Sequence, residues 1–185
     1  MASPFADMKF DLHCHSYYSD GKHAPAFLLQ RARENGITHL AITDHDYLAE
    51  KPAALQHYPE ITLIDGVEIS CCWQQREIHV VGLLPDNAAS ALQRLLSTQR
   101  EQRKLRMIDM DRQLVALGRQ GLREYLEALP CEAFTRSHAA DFLVREGICK
   151  SRQKAFKTHL GKNGRIYAEP NWCTLEEAVG TIRAA

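Results

Sequence analysis

Residues 11–21 have the sequence DLHCHSYYSDG, and three short segments downstream share its character: AITDHD at 41–46, GVEIS at 66–70 and EIHVVG at 77–82. In each segment, apolar residues typical of a buried strand are accompanied by histidine, aspartate or glutamate. Helical patterns lie between the first three strands, at 24–35 and 49–57. Strands that alternate with helices predict an α/β fold with a parallel or mostly parallel sheet, here of four strands, 9–13, 37–43, 61–67 and 77–84.

The chain changes character after Pro85, where strand signals give way to helical ones. A long helical pattern covers 87–117, with leucine and isoleucine at helical spacing. Shorter helices are predicted downstream, at 121–128, 137–146, 151–160 and 174–183. These patterns divide the chain into an N-terminal α/β part that carries the polar segments, a helical insertion and a short last part, with bounds of 8–86, 87–170 and 171–185.

Composition excludes several classes of protein. Among the 185 residues, 23 Lys and Arg are balanced by 23 Asp and Glu, so the net charge does not indicate a stable DNA partner or a membrane surface. No apolar run approaches the roughly 20 residues of a membrane helix, and residues 1–7 lack the basic and apolar parts of a signal peptide. The cysteines form no C-x-x-C pair. We therefore expect a cytoplasmic protein without a disulfide framework or an obligate protein partner.

The polar side chains of the four segments are of the types that bind transition metals. His13 and His15 are two residues apart in a strand, so their side chains point to the same side of the sheet. Functional groups of α/β folds gather at the carboxyl ends of the strands, where neutral imidazole and carboxylate together suit Zn, Mn or Fe. We therefore predict one metal centre with ligands from all four segments: His13, His15, Asp20, His45, Glu68 and His79. Glu68, with imidazoles on both sides of it in the chain, is well placed to bridge two ions.

Taken one at a time, these residues have ordinary explanations. A histidine within an apolar strand, such as His79, is commonly a packed core residue, and an aspartate before glycine, such as Asp20, is commonly a turn residue. Glu68 at a strand end is compatible with surface charge. Their occurrence together at the ends of four consecutive strands favours the metal centre. A mononuclear zinc amidohydrolase is a second hypothesis because it also begins with H-x-H, but no lysine stands at a strand end to form a bridging carbamate, and Asp20 would have no role.

The four segments, in this order and spacing, resemble the PHP (polymerase and histidinol phosphatase) family. Two later segments, TRSHA at 135–139 and WCT at 172–174, resemble a bacterial subgroup of that family. Members of the subgroup are nucleoside 3′,5′-bisphosphate phosphatases, also described as RNase AM-type 5′→3′ exoribonucleases. The resemblance covers essentially the whole chain. It implies a metal-dependent phosphoesterase that hydrolyses the 3′-phosphate of such nucleotides or degrades short RNA from its 5′ end.

The resemblance also implies a fold and a ligand set. The family fold is a distorted (β/α)₇ barrel with three metal ions at its mouth, and here the barrel would be incomplete and carry the helical insertion. Carried over to this sequence, the ions are held by three sets of residues: His13, His15 and Glu68; Glu68 and His79; Asp20 and His45. The residues of the first set act in catalysis through the metals. Mn²⁺ is the implied occupant, with Mg²⁺, Fe or Zn²⁺ as alternatives.

Family members continue beyond the point at which this sequence stops. They supply an Ala-His-Pro histidine and a final Asp-x-His pair that residues 1–185 do not contain. The resemblance thus predicts a chain that is C-terminally truncated, with one protein ligand missing from each metal position. The alternative to an active enzyme is therefore a catalytically impaired PHP module with a binding or structural role.

Substrate contacts are predicted for Arg136 and His138, which stand two residues apart at the start of a helix, where backbone N–H groups also attract anions. Two basic runs, 94–106 and 145–165, are either solvated helix surface or contacts to an RNA backbone. The expected partner is a nucleotide or a short RNA. Other histidines and both tryptophans are predicted to be surface or packing residues: His23, His39, His57, His159, Trp73 and Trp172.

Overall fold

The structure, a computed structural model, describes residues 8–84 and 90–185. The strands are β1 Phe10–Cys14, β2 His39–Ile42, β3 Thr62–Trp73, β4 Arg76–Leu84 and β5 Cys173–Thr174. The α-helices are α1 Pro25–Glu34, α2 Ser90–Ala116, α3 Leu122–Glu127, α4 Arg136–Arg145, α5 Arg152–Ala155 and α6 Leu175–Arg183. A 3₁₀ helix spans Ala53–His57 and a π-helix spans Phe156–Leu160. Within the described ranges, no helix is both long and apolar enough to cross a membrane.

The sheet has the order β1-β2-β3-β4, and its first three strands are parallel. Helix α1 connects β1 to β2, and the 3₁₀ helix lies in the connection from β2 to β3. Helix α1 begins with Pro25 and is followed by Gly36 at a φ of 67°, the arrangement expected at the two ends of a helix. Its buried Leu29 shares an apolar cluster with Leu40 and Ile42 of β2. The α/β fold and the mostly parallel sheet are therefore confirmed.

β4 is antiparallel to β3, and the two strands form a hairpin. Gln74 and Gln75 at its tip both have positive φ, 48° and 61°, as a two-residue type I′ turn requires. A parallel neighbour would need a crossover of roughly a dozen residues, and the chain has only two here. The sequence pattern predicted that the third strand ends at Val67. In the structure β3 continues to Trp73, because its second half is paired with β4 throughout.

The prediction of four strands is wrong, because the structure contains a fifth. β5 pairs in parallel with the far end of β3, with Cys173 beside Cys71 and Thr174 beside Cys72. A strand of two residues has no periodicity of its own, so only its tertiary neighbour defines it. β5 leads directly into α6, whose buried Ala178 packs in the same core as β3.

Helix α2 belongs to two apolar cores. Its first half contributes Leu92 and Leu96 to the core on the sheet, together with Ile69 of β3. Its second half contributes Met110 and Leu114 to a second core, which also holds α3 and α4 and lies within the predicted insertion. The predicted domain boundary between 86 and 87, and the predicted helix start at 87, lie outside the described residues. One continuous helix thus joins the two cores.

Candidate metal centre

Two of the predicted ligands lie at the end of β1: His13 is in the strand and His15 follows its last residue. Their Nε2 atoms lie 3.3 Å apart, since residues two apart in a strand share a face. Cys14 between them points away, and its thiol donates to Ala41 O. Both imidazoles face Glu68 on β3, with His15 Nε2 at 2.8 Å and His13 Nε2 at 3.2 Å from Glu68 Oε2. Two ring nitrogens and a carboxylate oxygen therefore meet at one point.

Glu68 lies at the middle of the centre and is buried, with 7% of its surface exposed. His45, which follows β2, forms a parallel β-bridge with Glu68, and its Nδ1 is 3.5 Å from Glu68 Oε2. From the opposite side, His79 on β4 places Nδ1 at 3.1 Å from Oε1. Each oxygen of this carboxylate thus lies close to at least one imidazole nitrogen.

Asp20 lies in the loop after β1 and is the second carboxylate of the centre. Its Oδ1 is 2.9 Å from His15 Nδ1 and 3.7 Å from His45 Nε2. The loop closes tightly at Gly21, where a Cβ would come within 2.1 Å of the His15 carbonyl oxygen, so only glycine fits. His15 therefore faces Asp20 through one ring nitrogen and Glu68 through the other.

The six predicted ligands lie together in three overlapping groups. Within each group the ligand atoms are all within 4.8 Å of one another: His13, His15 and Glu68; His15, Asp20 and His45; His45, Glu68 and His79. Two of the groups contain one residue more than the resemblance implied. His15 lies with Asp20 and His45, and His45 lies with Glu68 and His79. Their role as metal ligands remains a prediction, and their proximity is a property of the structure.

Burial and charge shift the pKa values of these groups. Burial disfavours charged His15, but its contacts to Asp20 and Glu68 outweigh that cost and raise its pKa to about 9. Burial also opposes ionisation of Asp20 and Glu68, yet the surrounding histidines hold the pKa of both carboxyls well below the usual range. Burial, and next the positive charge of Arg103, lower the pKa of His45 to about 3. The carboxylates are therefore ionised and His45 is neutral, the forms that bind metal, whereas His15 must lose a proton before it can bind.

The donor set fits a divalent transition metal. His45 Nδ1 is buried and has no hydrogen-bond partner among the residues that the structure describes. An unsatisfied buried nitrogen is costly and rare, and a metal ion would satisfy it. Four imidazoles and two carboxylates supply the nitrogen and oxygen ligands that Mn, Fe and Zn accept.

Two buried aspartates flank His45, and the sequence pattern did not single out either as functional. Asp44 Oδ1 accepts hydrogen bonds from Ser16 N at 2.9 Å and from Ser19 Oγ at 2.6 Å, and Oδ2 accepts one from Ser16 Oγ at 2.6 Å. Asp44 therefore holds the loop after β1. Asp46, also fully buried, faces β3 and α2. The sequence did offer a signal, the D-H-D triplet directly after an apolar strand. Carboxylates at the end of a buried strand are themselves buried, and a buried carboxylate needs several hydrogen-bond donors.

The predicted insertion contacts the centre at the start of α4. Thr135 Oγ1 and Ser137 Oγ donate to Asp20 Oδ2 at 3.3 and 3.2 Å. His138, a predicted substrate contact, accepts from Thr135 N through Nδ1 and donates to Ser19 O through Nε2, both at 3.0 Å. Both ring nitrogens of His138 thus have protein partners, and its substrate role stays a prediction.

Arg136, the other predicted substrate contact, lies against Glu77 on β4, two residues from His79. Arg136 Nη2 is 3.0 Å from Glu77 Oε2. Glu77 Oε1 also accepts hydrogen bonds from Arg106 Nη1 at 3.0 Å and from Trp172 Nε1 at 2.9 Å. The Arg136 side chain remains 27% exposed. Its guanidinium is therefore anchored but still accessible, and its substrate role also stays a prediction.

Two arginines of the first basic run, 94–106, are buried. For these two residues the prediction of a solvated helix surface is therefore wrong. Arg103 and Arg106 are 5% and 6% exposed, and their guanidinium groups lie 4.9 and 5.5 Å from the ring centroid of Trp172. Trp172 is thus confirmed as a packing residue, and so is His159, which is 7% exposed. Trp73, at the end of the hairpin, is 43% exposed.

Comparison with known proteins gives a consistent family. A family model described as the PHP domain matches residues 11–172. The chain is 37% identical over 179 residues to a Haemophilus influenzae 5′-3′ exoribonuclease and 39% identical over 178 residues to the 5′-3′ exoribonuclease Rnm of Salmonella typhimurium. It is 38% identical over 181 residues to the 3′,5′-nucleoside bisphosphate phosphatase of Chromobacterium violaceum. These matches cover 94–96% of this chain, which spans 61–65% of the length of the relatives.

Two solved structures have a similar fold. A Chromobacterium violaceum structure, described as an amidohydrolase with bound sulfate and no metal, matches with a TM-score of 0.83 at 33% identity. That match covers 97% of this chain and 64% of the other. A Bifidobacterium adolescentis structure matches with a TM-score of 0.84 at 24% identity over 95% of this chain and 63% of the other, a similarity that shows the fold alone.

Proposed function

We propose, from the premise that the chain belongs to the PHP domain family, that it contains the metal-binding part of a phosphoesterase acting on nucleotide phosphates. The assigned reactions are removal of the 3′-phosphate from nucleoside 3′,5′-bisphosphates and degradation of short RNA from the 5′ end. Similar proteins named as 5′-3′ exoribonucleases and as a 3′,5′-nucleoside bisphosphate phosphatase support this substrate class. The observation that carries the proposal is the convergence of the three ligand groups on the buried carboxylate of Glu68.

Three ion positions correspond to the three ligand groups. Mn²⁺ is the proposed occupant, with Mg²⁺, Fe or Zn²⁺ as alternatives. Bound there, the ions would lower the pKa of water so that it can attack phosphorus, and they would neutralise the negative charge on the phosphoryl oxygens. Glu68 belongs to two groups and would bridge two ions, while His13 and His15 hold the first of them. Asp20 and His45 would hold the third ion, and Asp20 also contacts His15 Nδ1 at 2.9 Å.

The finer architecture is part of the same proposal. The sheet corresponds to part of a distorted (β/α)₇ barrel, with the ligand groups at its mouth. Residues 8–86 and 171–185 would belong to this barrel and residues 87–170 would form the insertion. The support is the match to a longer solved structure at 33% identity and the buried contacts that α2 makes with the sheet.

Substrate binding is assigned to the start of α4. Arg136 keeps an exposed part of its guanidinium beyond its contact with Glu77, and such a group binds phosphate oxygens through paired hydrogen bonds. It would hold the phosphate that does not react. His138 would act beside it by fixing the backbone of Ser19, next to Asp20.

The test is hydrolysis by the purified chain with Mn²⁺. Phosphate release from a nucleoside 3′,5′-bisphosphate and nucleotide release from a short 5′-phosphorylated RNA are measured in parallel. We expect slow turnover that requires added metal, stops with a chelator and is lost in Glu68→Gln. Glu60→Gln changes an exposed carboxylate in the same way and should retain turnover. The absence of metal-dependent release from both substrates would contradict the proposal.

A catalytically impaired PHP module is the competing candidate. Each ligand group supplies three protein atoms, which leaves the remaining positions of an ion to water, so the ligand number fits this candidate as well as it fits a catalytic site. The chain also spans 61–65% of the relatives it matches. A chain that binds Mn²⁺ and yet hydrolyses neither substrate would favour this candidate over the enzyme.

A further inference from the structure

Arg103 is a buried arginine that extends from α2 towards the metal centre. Only 5% of the residue is exposed, and its guanidinium packs on the ring of Trp172. Arginine is rarely buried this deeply unless its donors have partners. The partners of Arg103 therefore show what its charge is used for.

Two of its donors are directed at Asp46, the residue after His45. Arg103 Nε and Nη2 lie 2.8 and 2.7 Å from Asp46 Oδ2. Asp46 is fully buried, and its φ of 47° lies in the left-handed region that residues other than glycine rarely adopt. Such a conformation persists only when the surroundings determine it strongly. The ion pair thus helps to hold Asp46 in a backbone shape that the chain would otherwise avoid.

The same two residues bind β3 next to Glu68. Asp46 Oδ1 accepts from Ser70 N at 3.0 Å, and Arg103 Nη2 donates to Ser70 Oγ at 2.6 Å. The backbone N–H of Asp46 donates to Glu68 O at 2.9 Å. Arg103 Nη1 donates to Phe134 O at 2.9 Å, just before α4. One guanidinium therefore joins the insertion to the loop after β2 and to the strand that carries Glu68.

We propose that Arg103 is a positioning residue of the metal centre, which fixes His45 against Glu68 by holding Asp46 on β3. The inference rests on the proposed function, because it requires that the centre binds metal. His45 and Glu68 form a β-bridge directly beside the Asp46 contacts. Two of the three ligand groups contain His45. Loss of Arg103 should weaken those positions and spare the group without His45: His13, His15 and Glu68.

A purely structural ion pair predicts a different result. Removing one partner of a buried ion pair destabilises the fold, but a loss of stability alone leaves the metal affinity of the folded molecules unchanged. A variant destabilised elsewhere in the same helix separates these effects. Leu114, which is 1% exposed, belongs to the core of the insertion, so Leu114→Ala serves as this control. Arg112→Met is the matched arginine control, because the Arg112 side chain is 75% exposed.

The experiment is calorimetric titration of the whole chain with Mn²⁺, accompanied by circular dichroism and thermal unfolding of each variant. Arg103→Met should bind Mn²⁺ about 10- to 100-fold more weakly at part of its sites, as expected when an outer partner of a ligand is removed. Leu114→Ala and Arg112→Met should bind like the unsubstituted chain. Arg103→Lys keeps the charge but loses the planar fork, so it should recover only part of the affinity.

Unchanged Mn²⁺ affinity and stoichiometry in folded Arg103→Met would overturn the inference and leave the proposed function intact. An equal loss of affinity in Leu114→Ala would also overturn it. If Arg103→Met proves unfolded, Arg103→Lys decides: full affinity overturns the inference, and weakened binding at part of the sites supports it. An unsubstituted chain that binds no Mn²⁺ would end both the inference and the proposed function.

Discussion

At the scale of single residues, Glu68 determines what the centre can bind. Its Oε2 faces His13, His15 and His45, and its Oε1 faces His79. The carboxylate is buried and its pKa lies well below the usual range, because the hydrogen bonds and charges of these histidines outweigh the cost of burial. A buried anion of this kind requires positive charge nearby. Both oxygens are therefore available to share cations with the imidazoles.

Glu68→Ala should lose more metal than a substitution of any single histidine, because Glu68 belongs to two ligand groups and its carboxylate would bridge two ions, whereas a neutral imidazole binds only one. The measurement is the molar ratio of metal to protein, by inductively coupled plasma mass spectrometry, after equilibration with Mn²⁺. Glu60→Ala removes an exposed carboxylate and should leave the ratio unchanged. Equal stoichiometry in Glu68→Ala and the unsubstituted chain would show that Glu68 is not a ligand.

Arg136→Ala should raise KM more than it lowers kcat. The guanidinium is anchored by Glu77 at 3.0 Å and remains partly exposed, so it can bind a phosphate that does not change during the reaction, and such binding affects KM. The measurement is steady-state hydrolysis of a nucleoside 3′,5′-bisphosphate with saturating Mn²⁺. Arg145→Ala removes a more exposed arginine from the same helix and should change neither constant. A fall in kcat alone would place Arg136 in the transition state instead.

At the scale of elements, the β3–β4 hairpin determines whether Glu68 and His79 meet. Glu68 pairs with Val81 and Ser70 pairs with His79, so Glu68 and His79 are diagonal neighbours on one face. A slip of one residue would move His79 to the opposite face of the sheet. The turn that sets this register is built from two glutamines with positive φ, Gln74 and Gln75, although this conformation suits asparagine and glycine better.

The double substitution Gln74→Asn and Gln75→Gly should stabilise the chain by about 1 kcal/mol, since it relieves the cost of a left-handed backbone at two positions. Urea unfolding followed by circular dichroism measures this, and Mn²⁺ affinity should not change because the register is kept. Gln153→Gly, a similar change at an exposed position of α5, should instead destabilise the chain. A destabilised hairpin variant would mean that the glutamine side chains contribute contacts of their own.

The part of the centre that could be predicted is the part encoded locally. His13 and His15 share a face because of the period of a strand, and this follows from spacing alone. Asp46 and Arg103 are 57 residues apart, so no local pattern could show that one neutralises the other. The run of arginines on α2 looks like a solvated face in sequence, and only the packing of α2 on the sheet turns Arg103 inward.

The same limit explains which strands could be predicted from the sequence and which could not. The first three were predicted because apolar runs alternate with helical patterns. The continuation of β3 to Trp73 was missed because Glu68 and Ser70 interrupt the apolar pattern of the sequence, and pairing with β4 supplies the stability of this part of the strand. β5 depends entirely on its neighbour in β3. Elements defined by tertiary pairing are therefore the ones that sequence patterns do not show.

At the scale of the whole molecule, the centre collects side chains from distant parts of the fold. Its ligand groups draw on β1, β3, β4 and two loops, and hydrogen bonds from the insertion reach Asp20 through Ser137. Helix α2 is shared by the core of the sheet and the core of the insertion. Binding at the centre is therefore linked to the integrity of the whole chain, because the unfolded chain holds none of these groups together.

Mn²⁺ should consequently raise the thermal stability of the chain. A ligand that binds only the folded state at about 100 times its Kd adds about 2.7 kcal/mol, and for a chain of this size that corresponds to a rise in Tm of about 5–11 °C. Differential scanning calorimetry with and without Mn²⁺ measures the shift. Glu68→Gln should abolish most of it, whereas Glu60→Gln, at an exposed position outside the ligand groups, should retain it in full. Identical Tm values with and without saturating Mn²⁺ would show that the three ligand groups do not act as a metal centre in the folded chain.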